Sequence, residues 1–206
     1  MNVLLINGSP HKNGCTNAAL AEVAKTLNEA GIETTIFPIG AAPVGGCVSC
    51  GGCGKAGKCV FGGPVADVLP LVEKADGIVF GAPVHYATAA ASMLGFMHRL
   101  AISGGKYLRH KPAAVVTSAR RAGTTTALEA MEKVPQFFEM PLISSTYWPM
   151  VHGGKAEEVL SDEEGLQIMR NLGRNMAWML KCIEAGKAAG IVAPTAENDK
   201  RTNFIR

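Results

Sequence analysis

The stretch that most constrains the fold is residues 2–17, NVLLINGSPHKNGCTN. Val3, Leu4, Leu5 and Ile6 form an apolar run too short for a helix, and it stops at Asn7-Gly8, the pattern of a buried strand. A polar loop of Ser9, Pro10, His11, Lys12, Asn13 and Gly14 follows, and then Leu20, Val23, Ala24 and Leu27 recur at helical spacing. The order strand, loop, helix gathers hydroxyls (Ser9, Thr16), an amide (Asn13), a cation (Lys12) and the free N–H groups of a first helical turn about one point. There the positive helix end favours an anion. An ordinary strand-to-helix turn capped by Ser9 or Thr16 has the same letters. Taken alone, the loop is compatible with either.

The alternation continues along the chain. Gly31 ends the first helix, and residues 32–39, with Ile32, Thr34 and Ile36 alternating, read as a second strand. Residues 40–63 are rich in glycine and hold four of the six cysteines, so they read as an insertion. One short helix is expected from Pro64 through Val65, Val68, Leu69 and Val72. Residues 77–81 read as a third strand, 112–117 as a fourth and 140–144 as a short fifth, with helices over 89–101 and around Leu128, Met131 and Val134. A long helix closes the pattern, opened by a capping box of Ser161 with Glu164. Its apolar face is Leu166, Met169, Leu172, Met176, Leu180 and Ile183. Five strands alternating with helices imply an α/β parallel sheet covered on both faces. At 206 residues the chain suits one domain, residues 1–190, with the Cys-rich insertion at 40–63 and a polar tail at 191–206.

In such sheets ligands bind beyond the carboxyl ends of the strands. The three unusual loops, after strands one, three and four, all lie there. In the loop at 83–88, Pro83 fixes the backbone while His85 or Tyr86 can flank a ring. In the loop at 118–124, Gly123 permits close approach and Arg120 or Arg121 can neutralise negative charge. Half-buried packing for Tyr86 and solvation for the arginines are the alternatives for each residue alone. The first loop has neither the Gly-Lys-Ser/Thr ending of a P-loop nor a Gly-x-Gly-x-x-Gly turn. Its hydroxyls and amides suit a terminal phosphate monoester, and FMN is the mononucleotide that fits.

Composition narrows the function classes. A formal charge of +3 without a basic stripe argues against nucleic acid. No apolar run approaches the ~18 residues of a membrane span, and no secretory leader precedes the first strand, so a cytoplasmic protein is expected. Cys47, Cys50, Cys53 and Cys59 are spaced Cys-x2-Cys-x2-Cys-x5-Cys among glycines. Four thiolates this close can surround an iron-sulfur cluster, with zinc or free thiols as the alternatives. Cys182, beside Leu180 and Ile183, reads as an inert core thiol. His11, His98, His110 and His152 form no metal-ligand spacing, and no nucleophile elbow is visible, so hydrolysis is disfavoured.

Gly8-Ser9-Pro10-His11-Lys12-Asn13-Gly14-Cys15-Thr16, Pro83-Val84-His85-Tyr86 and Tyr147-Trp148-x-Met150-Val151-His152-Gly153 resemble the NAD(P)H-dependent FMN reductase and iron-sulfur flavoprotein branch of the flavodoxin-like superfamily. The resemblance extends to the closing Thr202-Asn203-Phe204-Ile205-Arg206. It implies a flavodoxin-like doubly wound five-stranded parallel sheet of order 2-1-3-4-5, bound FMN, and electrons from NAD(P)H. The acceptor would be a quinone, a nitro or azo compound, flavin or a redox protein. The alternative it implies is an iron-sulfur flavoprotein or flavodoxin-type carrier serving a protein partner without direct nicotinamide use. It also implies a homodimer or homotetramer, for which the segment from Tyr147 to Gly153 is a candidate interface.

The candidate cofactor residues are Ser9, His11, Lys12, Asn13, Cys15, Thr16 and Asn17 for phosphate, Pro83, Val84, His85 and Tyr86 for the ring, and Ser118, Arg120, Arg121, Gly123 and Thr124 for its polar edge. The spacing of Cys47, Cys50, Cys53 and Cys59 resembles the family's compact 4Fe–4S motif. Two departures stand out. Gly14-Cys15-Thr16 replaces the usual Gly-Asn-Thr, so Cys15 contributes only its backbone, and His98-Arg99 replaces a common Asp-Arg pair.

Overall fold

The computed structural model describes residues 1–200 and 202. Of the closing motif, residues 203–206 lie outside the described residues. Strands β1 (Asn2–Asn7), β2 (Glu33–Pro38), β3 (Gly77–His85), β5 (Ala113–Ala119) and β6 (Met150–His152) pair in parallel in the order β2-β1-β3-β5-β6. The two-residue β4 (Thr88–Ala89) folds back antiparallel on the end of β3. Without that short strand, the order is the expected 2-1-3-4-5 of a flavodoxin-like sheet.

The central strands are buried on both faces, and their alternation assigns each residue to one of two cores. Leu4, Ile6, Ile78, Phe80 and Val115 face α3 (Pro64–Asp67), α4 (Leu69–Lys74), α5 (Ala91–Gly104) and α6 (Thr124–Phe137). Val3, Leu5, Val79, Ala114 and Val116 face α1 (Cys15–Glu29) and the long α8 (Glu163–Ala188); the short α2 (Gly52–Ala56) lies in the insertion and the short α7 (Ala156–Val159) follows β6. Each fully buried Leu, Ile or Phe contributes about 1.5–3 kcal/mol, so the two cores hold the sheet rigid and its carboxyl-end loops in register. Gly173 lets α8 lie against α1, because a Cβ there would stand 2.8 Å from Thr26 Cβ. The ion pair between Arg170 and Glu22, at 2.7 Å, spans the same contact. No described helix is long and apolar enough to cross a membrane.

Several local expectations are corrected. The fifth strand lies at Met150–His152, not at 140–144, where a single bridge joins Leu142 to Ala113. Pro141 has no N–H to extend that ladder. The chain leaves the sheet after Ile143 donates to the Ala113 carbonyl and returns only after Pro149. The helix from Pro64 is two short helices, broken at Val68. The cap of α8 is Asp162 rather than Ser161: its carboxylate accepts from Gly165 N at 3.0 Å and from His152 N at 2.7 Å. Cys182 is exposed, not a core thiol. At about 100° per residue it lies on the far side of α8 from Leu180.

Candidate functional site

Asn7, fully buried at the end of β1, organises the first loop. Its Oδ1 accepts from Ser9 N at 3.0 Å and its Nδ2 donates to the Lys12 carbonyl at 3.2 Å, while Ser9 Oγ accepts from His11 N at 3.1 Å. Gly8 fits because a Cβ would stand 2.8 Å from Met93. The chain then enters α1 with Gly14 as its N-cap, without a side-chain cap and without an acidic residue in the first turn. The first helical bond is from Ala18 N to the Gly14 carbonyl. No backbone carbonyl among the described residues therefore accepts from the N–H groups of Cys15, Thr16 and Asn17. Such orphan donors, at the positive end of a 15-residue helix, are what a phosphate requires.

Two long-range bonds tie this loop to the sheet. Buried Thr16 Oγ1 and Ser118 Oγ are 2.8 Å apart, linking α1 to the end of β5. Cys15 Sγ donates to the Gly153 carbonyl at 3.4 Å, linking α1 to the exit of β6. Burial pushes the Cys15 thiol above the ordinary cysteine range; its own backbone N–H works the other way, and Glu158 and Glu157 add to the rise. It is thus a protonated donor at neutral pH, with little thiolate character.

A cleft of about 790 Å³ opens at the carboxyl ends of β1, β3, β5 and β6. One wall runs from Ser9 to Thr16 and includes His11, Lys12, Asn13 and Cys15; Pro83, Val84 and His85 form another; Ser118, Ala119 and Arg120 a third. Gly153, Gly154, Lys155, Ala156 and Glu157 complete it. Of these five only Gly153 carries a signal in the sequence, in the motif read as an interface. Gly154 is held by donating its N–H to Glu158 Oε2 at 2.7 Å.

Five candidates do not line the cleft. Tyr86 is fully exposed, at 104% of its reference area. Asn17, half-buried, sits in the first turn of α1. Arg121 is exposed, and its carbonyl lies 3.2 Å from His152 Nε2. Thr124 is buried at the start of α6. Gly123, at φ +94°, is the N-cap of α6 and presses against the loop after β3, where a Cβ would meet Ala87 Cα at 2.6 Å. Its contribution is to dock two loops together.

The insertion forms a second, smaller pocket of about 30 Å³, lined by Cys47, Cys50, Cys53 and Cys59 together with Val60, Phe61, Arg99 and Ile102. Cys47 and Cys50 are exposed, and Cys53 and Cys59 half-buried. Ser49 N donates to Cys47 Sγ at 3.4 Å. The four sulfurs share one pocket, but among the described residues no three His, Cys, Asp or Glu side chains stand together at metal-binding spacing. The donor set, four thiols among glycines with N–H groups nearby, is the chemistry of an iron-sulfur or zinc ligand shell.

The parallel sheet with a cleft at its carboxyl edge, together with the family match that follows, makes this an FMN-dependent oxidoreductase of the flavodoxin-like class. The chain belongs to the NADPH-dependent FMN reductase family, which it matches over residues 1–155. It is 29% identical over 192 residues to an iron-sulfur flavoprotein of Methanocaldococcus jannaschii, covering 89% of this chain and all of the relative. It is 26% identical over 195 residues to an iron-sulfur flavoprotein of Archaeoglobus fulgidus, covering 87% of this chain and 97% of the relative. Among solved structures, a WrbA-like flavodoxin of Agrobacterium tumefaciens superposes with a TM-score of 0.64 at 15% identity, covering 88% of this chain and 98% of that one. This likeness concerns the fold.

Proposed function

We propose that the cleft holds FMN and that the protein takes electrons from NAD(P)H and passes them to a small-molecule acceptor (a quinone, a nitro or azo compound, or flavin) or to a redox protein. The carrying observation is the uncapped first turn of α1 facing a cleft of about 790 Å³. The N–H groups of Cys15, Thr16 and Asn17, with Ser9, Lys12 and Asn13, bind the phosphate. Pro83, Val84 and His85 orient the ring, and Ser118, Arg120 and the backbone near Gly153 meet its polar edge. FMN when bound supplies the hydride and electron chemistry. The protein's part is to hold it in place and to put a guanidinium where negative charge develops.

Thr16→Ala is expected to weaken FMN retention about tenfold, because it leaves buried Ser118 without its partner at a cost of roughly 1–1.5 kcal/mol. Flavin content after gel filtration checks it, and unchanged content would remove Thr16 from the site.

A second reading is favoured by the four cysteines lining one pocket and by the relatives' description as iron-sulfur flavoproteins. In that reading Cys47, Cys50, Cys53 and Cys59 would hold a 4Fe–4S cluster, which would supply single-electron chemistry toward a redox protein. We place the protein in the cytoplasm as a homodimer or homotetramer, with exposed Tyr147 and Trp148, edge to face at 4.7 Å, at the contact. The test is anaerobic purification, an absorbance spectrum, iron and sulfide analysis, and steady-state NAD(P)H oxidation. Flavin bands with NAD(P)H turnover support the first reading. Flavin with about four irons per chain and no turnover supports the second, and a colourless protein overturns both.

A further inference from the structure

Arg99 sits half-buried on α5, away from the cleft. Its guanidinium donates through Nε and Nη2 to Cys59 Sγ at 3.3 and 3.2 Å, and through Nη2 to the Gly62 carbonyl at 2.9 Å. The Phe61 ring stacks against it, 5.9 Å from guanidinium carbon to ring centroid. No carboxylate pairs with it among the described residues. The segments that build this pocket could not provide one, since no Asp or Glu occurs between Glu33 and Asp67 or between Asp76 and Glu129.

A guanidinium is charged at any physiological pH, and withdrawing a cation from water without an anion is costly. Its acceptors are the uncharged Gly62 carbonyl and a cysteine sulfur, and a thiol is a weak acceptor. Metal-ligating thiolates would supply the missing negative charge at that place. The fork geometry is also specific: two N–H groups converge on one sulfur while Phe61 and Gly62 hold the plane.

We propose that Arg99 is a positioning residue for a sulfur-ligated metal centre at Cys47, Cys50, Cys53 and Cys59. It orients Cys59 as a ligand and offsets the charge of the thiolates. This rests on the cluster reading above. Hydrogen bonds and positive charge at a ligand sulfur raise a cluster's reduction potential and stabilise its retention. A lysine retains the charge but not the fork.

The full chain and its Arg99→Leu and Arg99→Lys variants would be reconstituted anaerobically with iron and sulfide. Iron content, the rate of loss to a chelator and the reduction potential are then measured, with circular dichroism as the control for folding. Cobalt(II) titration of the unreconstituted proteins, followed by the thiolate charge-transfer band, probes the same ligands without sulfide. For Arg99→Leu we expect about tenfold to a hundredfold weaker metal retention and a lower potential, with Arg99→Lys in between. Variants that match the wild type in retention and potential, while the wild type binds metal, overturn the role of Arg99 and leave the cluster reading standing. A wild type that takes up neither iron nor cobalt overturns the cluster reading and this inference with it. If Arg99→Leu fails to fold, Arg99→Lys decides: full wild-type retention and potential would show that the fork is dispensable.

Discussion

Gly123→Ala is expected to lower FMN affinity at least tenfold and to destabilise the fold by about 1–3 kcal/mol. Two effects combine at this position. With φ at +94°, Gly123 occupies the left-handed region that a Cβ disfavours. That Cβ would also stand 2.6 Å from Ala87 Cα and 2.9 Å from Val84 Cγ1. The Cα is backbone and cannot rotate aside. Either the loop after β3 or the loop after β5 must retreat, and these segments carry Pro83 to His85 and Ser118 to Arg120, which line the cleft. A shift of one ångström there would misalign both of the contacts proposed for the ring. Fluorescence titration with FMN and thermal unfolding check the two halves separately. Unaltered affinity despite lower stability would show that the ring site does not depend on this loop contact.

Gly95→Ala should act on the insertion instead. Gly95 is buried on α5, and a Cβ there would meet the Val44 carbonyl oxygen at 2.4 Å and Gly45 backbone atoms at 3.0 Å. The main chain at the root of the insertion must then lift off the helix, at a cost of about 1–3 kcal/mol. Residues 44–63 would lose their seat against α5, and Cys53 and Cys59, now half-buried, should alkylate several-fold faster. FMN affinity should change far less than in Gly123→Ala. Gly46→Ala is the control, because nothing lies within 4 Å of its Cβ position. Equal alkylation rates in the Gly95 and Gly46 variants would show that the insertion is not seated through Val44.

The apolar runs at 3–6 and 77–81 and the six-residue face of α8 were legible because burial imposes a period on the sequence. The same reasoning misplaced the last strand. Residues 140–144 have the composition of a strand, but Pro141 limits them to one bridge, whereas the short Met150–His152 segment completes the sheet only because β5 offers it a partner. Proximity in sequence to Leu180 does not bury Cys182, because residues two apart on a helix point about 200° apart. Asn7 gave no signal beyond ending a strand, yet its side chain shapes the loop.

By itself the sequence determined the element types, the doubly wound class and the three loops at one edge of the sheet, since these follow from local periodicity and from loop residues that follow each strand. The tertiary structure decided which residues meet. Thr16 and Ser118 are 102 positions apart, Cys15 and Gly153 are 138 apart, and Arg99 and Cys59 are 40 apart. Strand order and register set those pairings, and no local pattern encodes them. The same holds for Gly153 to Glu157: they reach the cleft only because β6 pairs with β5 at Thr117–Ala119 and delivers its exit beside α1.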